Sequence, residues 1–514
     1  MKKIYTMFTL SLLLIVTSCG KEDNVDELVD ITTTTPETTT PTPTTPTVTL
    51  STVINDFIWK GLNQYYYWQE EVNDLSDSKF DNDDDYVNYL NTTPDNETFF
   101  ESLKHPDDRF SWIESDYEVL ENQLSGISAS NGMKFIVYRR ASDSDGLIAV
   151  VTYVLPNSSA AEQGVVRGDL FNIVNNQELN ISNYYSLLYG DDLEYSIELV
   201  NFDPNSNIIT SRGITKELTK EIDFQEIPVH KNQIIDIGDK RIGYVMYNRF
   251  LSTVDTDGDG TNEYDFNQLL IDTFADLGNQ NITDLVLDLR YNPGGSVQTC
   301  TYLASLITGQ FNGEIFAKQL WNTKLMEYFE ERNIDNNNYF VSQTTSGVPL
   351  PSLQLNKIYV LVSNRSASAS ELLINGLAPY IEVIKIGTNT VGKNVGSITL
   401  YDYIDDNGTK NSEHKYAMQP IVLKIANKLN YADYADGLDP TVELRESIVN
   451  YGILGDQNEP LLAKAIEMIT GTSKIHNTVS DHIFYPAPDK YEMKNQKMFV
   501  DLPLKSINQR KKLK

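Results

Sequence analysis

The chain has 514 residues, of which 72 are Asp or Glu and 41 are Lys or Arg, giving a net charge of −31 at pH 7. This length suits two or three domains, and the 40% hydrophobic content with thirty tyrosines is typical of a globular protein. The acidic balance excludes nucleic acid as a partner, because phosphate binding needs a basic face and the sequence offers none.

The first residues have the pattern of an export signal. Lys2 and Lys3 precede an apolar stretch over residues 7–16, which is too short for a stable transmembrane helix. The letters Val-Thr-Ser-Cys that end at Cys19 resemble a bacterial lipobox, in which the cysteine is lipidated and becomes the first mature residue. We therefore expect a lipoprotein signal peptide over 1–18 and a lipid on Cys19. The expected location is the cell envelope, anchored to the outer membrane on its periplasmic or its outer side.

Composition divides the next hundred residues into a spacer and a small folded region. Residues 19–50 are rich in threonine and proline, cannot build a core, and predict an extended linker. Residues 51–120 carry aromatic side chains at helical spacing and predict an N-terminal helical region.

Short strands and turns follow over residues 121–215, and an α/β pattern covers 216–472. Within it, the segment Asp-Thr-Asp-Gly-Asp-Gly over 255–260 places carboxylates at alternate positions, as calcium loops do. The twelfth position is Phe266 instead of glutamate, so Glu263 or Asp265 would have to complete a looser site. We favour a solvated acidic hairpin tip and assign no metal site.

Two blocks of the α/β part carry candidate chemistry. Residues 285–295 read Leu-Val-Leu-Asp-Leu-Arg-Tyr-Asn-Pro-Gly-Gly, a buried strand followed by a turn with little side-chain bulk. Residues 358–371 read Ile-Tyr-Val-Leu-Val-Ser-Asn-Arg-Ser-Ala-Ser-Ala-Ser-Glu, a strand, a serine-rich turn and a helix start. Bare turns and helix N-termini both expose backbone amides that can stabilise an oxyanion.

A serine and a lysine stand out in and after the second block. Ser368 and Glu371 have the spacing of a capping box, so Ser368 alone would be interpreted as a helix cap. Lys393 follows 25 residues later among small residues, and the segment 390–396 contains no carboxylate. Burial there would lower the pKa of the lysine and let its neutral amine deprotonate the serine hydroxyl.

At these residues the chain resembles the C-terminal processing peptidases, or tail-specific proteases, which use a Ser–Lys dyad. The resemblance implies that Ser368 is the nucleophile and Lys393 the general base. It also implies that the Ala369 amide, with that of Gly294 or Gly295, holds the oxyanion, and between the two glycines Gly294 is narrowly preferred. Many members carry a glutamine four residues after the lysine to orient it, and here Ser397 occupies that position. The third catalytic position therefore stays open, with Ser397 as a candidate of shorter reach.

The same resemblance implies an α/β fold with a crotonase-like or ClpP-like peptidase core over 216–472. It implies a PDZ-like domain over 121–215, whose loop at 132–135 resembles a carboxylate-binding loop. That domain would either bind substrate C-termini or only gate the protease. A histidine-based triad using His105 is the catalytic alternative, because related tricorn-type peptidases use an upstream histidine, and we favour the dyad.

The sequence thus predicts a lipid-anchored serine endopeptidase that acts on polypeptides, needs no cofactor and contacts the membrane through its N-terminal lipid. The alternative is a catalytically inactive, peptide-binding surface lipoprotein that keeps the fold. The tail over 473–514 has no clear periodicity, and its role cannot be derived from its sequence.

Overall fold

A computed structural model of the chain describes residues 46–141, 144–203, 206–254, 262–448, 450–472, 485–486 and 497–500. The predicted signal peptide, Cys19, most of the linker and the acidic segment 255–260 lie outside these residues. The chain from Pro46 onward groups into one compact unit. No helix in the described ranges is both long enough and apolar enough to cross a membrane.

The described residues form eleven α-helices and three short 3₁₀ turns. The helices are α1 (Leu50–Tyr65), α2 (Asp83–Leu90), α3 (Asn96–Ser102), α4 (Tyr117–Ser125), α5 (Ser159–Glu162), α6 (Tyr184–Tyr189), α7 (Phe266–Asn279), α8 (Val297–Thr308), α9 (Thr323–Arg332), α10 (Ala369–Leu377) and α11 (Pro460–Thr470). The 3₁₀ turns are Gln69–Glu71, Asn73–Leu75 and Asp77–Phe80. Together with α1 to α3 they confirm the predicted N-terminal helical region.

The strands before residue 229 are β1 (Trp112–Glu114), β2 (Ile127–Ser130), β3 (Met133–Arg139), β4 (Leu147–Val154), β5 (Leu170–Val174), β6 (Gln177–Glu178), β7 (Glu194–Asp203), β8 (Ile208–Thr219) and β9 (Glu221–Gln225). Those that follow are β10 (Val229–Ile237), β11 (Lys240–Tyr247), β12 (Thr253–Val254), β13 (Tyr264–Asp265), β14 (Asp284–Asp288), β15 (Gly294–Ser296), β16 (Ile315–Trp321), β17 (Asn337–Tyr339), β18 (Lys357–Val362), β19 (Glu382–Gly387), β20 (Val395–Ser397), β21 (Leu400–Tyr401), β22 (Ala417–Gln419), β23 (Ile421–Ala426), β24 (Val442–Glu443), β25 (Tyr485–Pro486) and β26 (Lys497–Phe499).

The central sheet has the strand order β10-β11-β14-β18-β19-β24 among the described residues. Strands β11, β14, β18, β19 and β24 run parallel, and β10 joins β11 antiparallel. Helices α7, α8 and α10 connect consecutive parallel strands, as βαβ units require. This is the α/β core that the sequence predicts.

Both faces of the central sheet are buried, which explains why its strands are continuous apolar runs. On β11, Val245 packs with helices α7, α8 and α10 in the larger core cluster. Its neighbours Tyr244 and Met246 point to the other face and pack with α11 and with strands from the 127–225 region. The alternation follows from the two-residue period of a strand.

A second sheet includes β15 and β20, which lie beside the turns with the candidate residues Gly294, Gly295 and Lys393. Among the described residues, the strand order of this sheet is β15-β26-β20-β23-β16-β17. Strand β26, from the C-terminal tail, runs parallel to both β15 and β20 and lies between them. A third sheet has the order β25-β3-β4-β5-β7-β8, so a second piece of the tail pairs with the edge of β3.

Candidate active site

Three turns that carry candidate chemistry follow three neighbouring parallel strands. The Asn-Pro-Gly-Gly turn follows β14, the serine-rich turn follows β18, and the segment with Lys393 follows β19. Because β14, β18 and β19 are adjacent and parallel, their carboxyl ends lie at the same edge of the sheet. This edge is where open α/β sheets bind ligands. Residues more than a hundred positions apart therefore meet at one site.

Ser368 is held in a conformation that a side chain other than glycine rarely adopts. It is the N-cap of α10 with φ 65° and ψ −114°, in the positive-φ region that costs energy for a residue with a Cβ. The residue is buried, and within the described part of the chain its Oγ has no hydrogen-bond partner. Ser368 lies at the helix start as the capping-box spacing predicts, but its hydroxyl remains available for chemistry.

Hydrogen bonds to the neighbouring strand fix the turn that leads into Ser368. The hydroxyl of Ser366 donates to Leu289 O at 2.8 Å and accepts from Ser363 N–H at 3.0 Å. The Ala367 N–H donates to Asn292 O at 3.1 Å. The serine-rich turn is therefore bonded at several points to the turn that follows β14.

Glu371 joins the serine turn to the lysine loop. Its Oε2 accepts from Ser368 N–H at 2.7 Å and from Lys393 N–H at 2.8 Å. Its Oε1 accepts from Gly392 N–H and from the Thr390 hydroxyl, both at 2.6 Å. The backbone nitrogens of Ser368 and Lys393 therefore both lie within hydrogen-bond distance of the same carboxylate oxygen. Burial raises the pKa of Glu371, and the four donated hydrogen bonds act in the opposite direction.

The amine of Lys393 lies in an environment that favours its neutral form. The residue is buried, and burial lowers the pKa of the amine to about 7. The carboxylates of Asp108 and Glu371 act in the opposite direction. The absence of a carboxylate within 390–396 is thus no guide to the surroundings of Lys393, because both anions come from other parts of the chain. The ring of Phe110 lies 4.9 Å from the Lys393 Nζ.

The segment 105–112 from the N-terminal region closes over the lysine loop. Arg109 Nη2 donates to Gly392 O and to Ala435 O, each at 3.1 Å. Asp108 is buried and accepts from the Tyr66 hydroxyl at 2.7 Å. His105, the alternative catalytic residue, stacks on Trp68 with ring centroids 5.6 Å apart. Its assigned contacts lie within the N-terminal region, which agrees with our preference for the dyad.

Asn292 organises the turn after β14. Its Nδ2 donates to Tyr247 O at 2.8 Å, and its Oδ1 accepts from Gly294 N–H at 2.9 Å. A side chain at Gly295 would collide with the carbonyl of Phe250, so glycine is required at that position. Gly294 O accepts from the Phe250 N–H, and the Ser296 N–H donates to Phe250 O. Because the backbone groups of successive residues in a strand point to opposite sides, the Gly295 N–H points toward β26.

The backbone N–H groups of the predicted oxyanion donors therefore differ in their hydrogen-bond partners. The Gly294 N–H is satisfied by Asn292, and the Gly295 N–H faces the tail strand. Ala369 is the first residue of α10, where backbone amides have no acceptor within the helix. The Gly294 N–H thus already has an acceptor, whereas the role of Gly295 and Ala369 as oxyanion donors stays a prediction.

Ser397, the predicted lysine-orienting residue, has other assigned contacts. Its Oγ lies 2.6 Å from Gln419 Oε1 and 3.1 Å from Met498 O, and both of these atoms can only accept. The single hydroxyl proton is thus directed to Gln419 or to the tail. A role in orienting Lys393 would use the remaining lone pairs of Ser397 and stays a prediction.

The sequence did not reveal two residues that hold the site together. Glu371 was visible only as half of a capping box, and Asn292 only as part of a turn motif. Asn292 connects the turn after β14 to the serine-rich turn, because its main-chain carbonyl also accepts from the Ser370 hydroxyl at 3.0 Å. A buried acidic residue or amide beside a predicted nucleophile is the signal that would have indicated such a role.

Two protein-family models match parts of the chain. Residues 241–428 match peptidase family S41, and residues 53–112 match the peptidase S41 N-terminal domain. The chain therefore carries the two domains of peptidase family S41 over these residues.

The individual relatives are carboxyl-terminal processing proteases. That of Picosynechococcus sp. is 25% identical over 231 residues, which cover 45% of this chain and 46% of the relative. CtpB of Bacillus subtilis is 26% identical over 326 residues, which cover 59% of this chain and 56% of the relative. The chain thus spans about half the length of these curated relatives. The crystal structure of an S41 protease from Bacteroides fragilis has a TM-score of 0.62 at 24% identity, covers 81% of this chain and 98% of that chain, and shows a shared fold.

Proposed function

We propose that this protein is a serine endopeptidase that hydrolyses polypeptides through a Ser368–Lys393 dyad. One observation carries the proposal. A serine hydroxyl without a hydrogen-bond partner and a buried lysine with a pKa of about 7 lie on two loops whose backbones bond to the same carboxylate, Glu371. An amine with this pKa is neutral in about half of the molecules at pH 7, as a general base requires.

In the proposed reaction Lys393 Nζ removes the proton from Ser368 Oγ, which attacks the carbonyl carbon of the scissile peptide bond. The Ala369 N–H and a glycine amide from 294–295, with Gly295 preferred, stabilise the negative charge that forms on the carbonyl oxygen. The C–N bond then breaks, and the lysine returns its proton to the leaving amine. Water, deprotonated by the same amine, attacks the acyl-enzyme and releases Ser368. Each of these steps uses only groups of this chain, the substrate and water.

The region 121–215 is proposed to act as a PDZ-like peptide-binding domain. A cavity of about 240 Å³ lies between β3 and α6, and both apolar and charged residues line it, among them Met133, Phe135, Leu188, Lys134 and Glu226. Pro293 and Arg365 from the two active-site turns also line it. A peptide bound in this cavity would therefore extend toward the catalytic site. This continuity supports recognition of a substrate C-terminus by the domain.

Two loop amides favour gating as the second role of this domain. The Gly132 N–H donates to the Ser130 hydroxyl, and the Met133 N–H donates to Asn131 Oδ1. A terminal carboxylate would have to displace these side chains before the loop amides could bind it. Binding and gating are thus successive states of one loop under this proposal.

The predicted lipid on Cys19 and the linker over 19–50 complete the proposal. They would hold the peptidase near the surface of the outer membrane, where polypeptide substrates of the cell envelope would reach it. Palmitate labelling of the cysteine in the expressed full-length chain, with Cys19→Ala as the control, tests this anchoring.

The dyad is tested by incubating the purified protein with an unfolded polypeptide and measuring the cleavage rate. Ser368→Ala and Lys393→Ala are each expected to lower the rate by at least about a thousandfold. Ser78→Ala and Lys415→Ala, which change exposed side chains, serve as matched controls. If wild type and both dyad variants cleave equally, the dyad is wrong. If none of them cleaves but all bind peptide, the protein is the inactive binding lipoprotein instead.

A further inference from the structure

Strand β26 of the C-terminal tail lies between two elements that carry the active-site turns. Gly294, Gly295 and Ser296 of β15 pair with Lys497, Met498 and Phe499, and Ser397 of β20 pairs with Phe499. The Val500 N–H also donates to Ser397 O at 3.1 Å. β15 begins in the predicted oxyanion turn, and β20 begins two residues after Lys393.

Without β26, the facing edges of β15 and β20 would form a slot one strand wide. Two strands separated by a third lie about 10 Å apart, and the backbone groups along both edges would be unpaired. Such a slot accepts one extended polypeptide by strand addition. In the structure the chain's own residues 497–500 fill it.

The tail strand uses backbone groups that a substrate would need. The Gly295 N–H, a predicted oxyanion donor, faces β26, and the Gly294 N–H is already bonded to Asn292. A substrate carbonyl attacked by Ser368 would require a donor from this turn. The tail strand and a reacting substrate are therefore mutually exclusive at Gly295.

The tail also pairs with the edge of the third sheet before it reaches the slot. Tyr485 and Pro486 pair antiparallel with Arg139 and Tyr138 of β3, the strand that borders the proposed peptide cavity. Two separate segments of the tail thus occupy strand-addition positions, one beside the proposed peptide-binding domain and one beside the dyad.

We propose that the C-terminal tail is an intramolecular peptide ligand that inhibits the protease by occupying the slot between β15 and β20 through residues 497–500. This inference rests on the proposed function and adds a regulation to it. Release of the tail opens the slot for an extended polypeptide and frees the amide of Gly295. Because the ligand is tethered, its effective concentration is on the order of millimolar, so weak strand pairing is sufficient for high occupancy.

The test changes Met498, whose side chain is fully buried in the larger core cluster. In the full-length protein, Met498→Asp places a charge there and is expected to eject the strand, whereas the matched control Met498→Leu keeps the apolar contact. We expect kcat/KM for an unfolded polypeptide to rise about tenfold in Met498→Asp. This factor assumes that the tail strand fills the slot in about nine-tenths of wild-type molecules, so that about a tenth of them can accept a substrate. Amide exchange at 294–296 and 395–397 should become faster in the same variant.

A synthetic peptide with the sequence of residues 494–503 separates inhibition from a structural role. We expect it to inhibit Met498→Asp competitively, and a scrambled peptide to have no effect. An activity that is unchanged or lower in Met498→Asp, or that the peptide raises, would overturn the inference and make β26 an integral strand.

Binding of the labelled peptide to the double variant Ser368→Ala, Met498→Asp is a readout that does not depend on catalysis. If Ser368-dependent cleavage is absent but the peptide binds, the proposed function fails and the slot remains. If cleavage depends on Ser368 but the peptide does not bind, only the tail inference fails.

Discussion

Lys393 shows how single residues determine this site. Burial lowers the pKa of its amine to about 7, although Asp108 and Glu371 oppose this shift. Ser368 is similarly kept at an unfavourable φ of 65° with a hydroxyl that has no partner in the described residues. Both features cost folding free energy, which is expected where a residue is retained for chemistry rather than stability.

The buried amine predicts a pH-dependent stability difference. The ordinary pKa of lysine is 10.5 and the folded value is about 7, so the unfolded state binds more protons between these limits. The free energy of unfolding contributed by Lys393 therefore rises with pH from about 7 to about 10.5, and its penalty is largest below pH 7. Lys393→Met removes this penalty.

We expect Lys393→Met to be more stable than wild type by a few kcal/mol at pH 6, with the difference shrinking toward pH 10. Urea unfolding at a series of pH values measures it. Ser368→Ala, which keeps the lysine, should follow the pH dependence of wild type. Parallel curves for Lys393→Met and wild type would show that the amine is not perturbed.

At the scale of elements, three adjacent parallel strands align the turns, and a segment from the N-terminal region completes the lysine environment. Asp108 accepts from the backbone N–H groups of Phe110 and Ser111 at 2.9 and 2.8 Å, so its carboxylate is fixed near the amine. The N-terminal helical region thus contributes to the electrostatic environment of Lys393 in addition to packing on the core. Asp108 is a positioning residue that acts on the pKa of Lys393.

Removing the charge of Asp108 should shift the pH dependence of the protease. In Asp108→Asn the side-chain oxygen still accepts from the backbone, but the anion that raises the pKa of Lys393 is gone. The pKa of the amine should fall, and kcat/KM at pH 6 should rise roughly threefold because more of the base is neutral.

The measurement is the acid limb of the kcat/KM profile, and Asp107→Asn, which changes an exposed neighbour, is the matched control. A limb that stays in place or moves to higher pH in Asp108→Asn would contradict this role. A loss of activity at all pH values would indicate that the segment 105–112 is disturbed instead.

For the whole molecule, local patterns predicted the parts that are local in sequence. The apolar run at 285–289 becomes β14, and that at 358–362 becomes β18. The family resemblance, rather than any pattern of strands, is what joined Ser368, Gly295 and Lys393 in one predicted site, and their loops follow three adjacent parallel strands in the structure.

Contacts between distant segments could not be predicted in this way. Arg109 bonds to Gly392 across 283 positions, and no periodicity connects them. The tail lacked a clear pattern because three residues of an added strand carry too little sequence signal, and their position depends on edges that exist only in the folded protein. The hydrogen bonds by which Glu371 joins Ser368 to Lys393 could not be predicted, because a capping box explains the same Ser368–Glu371 spacing.

Phosphonylation of the serine by a small fluorophosphonate, in which Ser368 Oγ bonds to phosphorus and fluoride leaves, tests the proposed dyad when it is followed by intact mass measurement and peptide mapping. We predict one label on Ser368, a rate that rises with pH with a midpoint near 7, and at least a hundredfold slower labelling in Lys393→Met. Labelling at another residue, or a rate on Ser368 that is unaffected by pH and by Lys393→Met, would contradict the account.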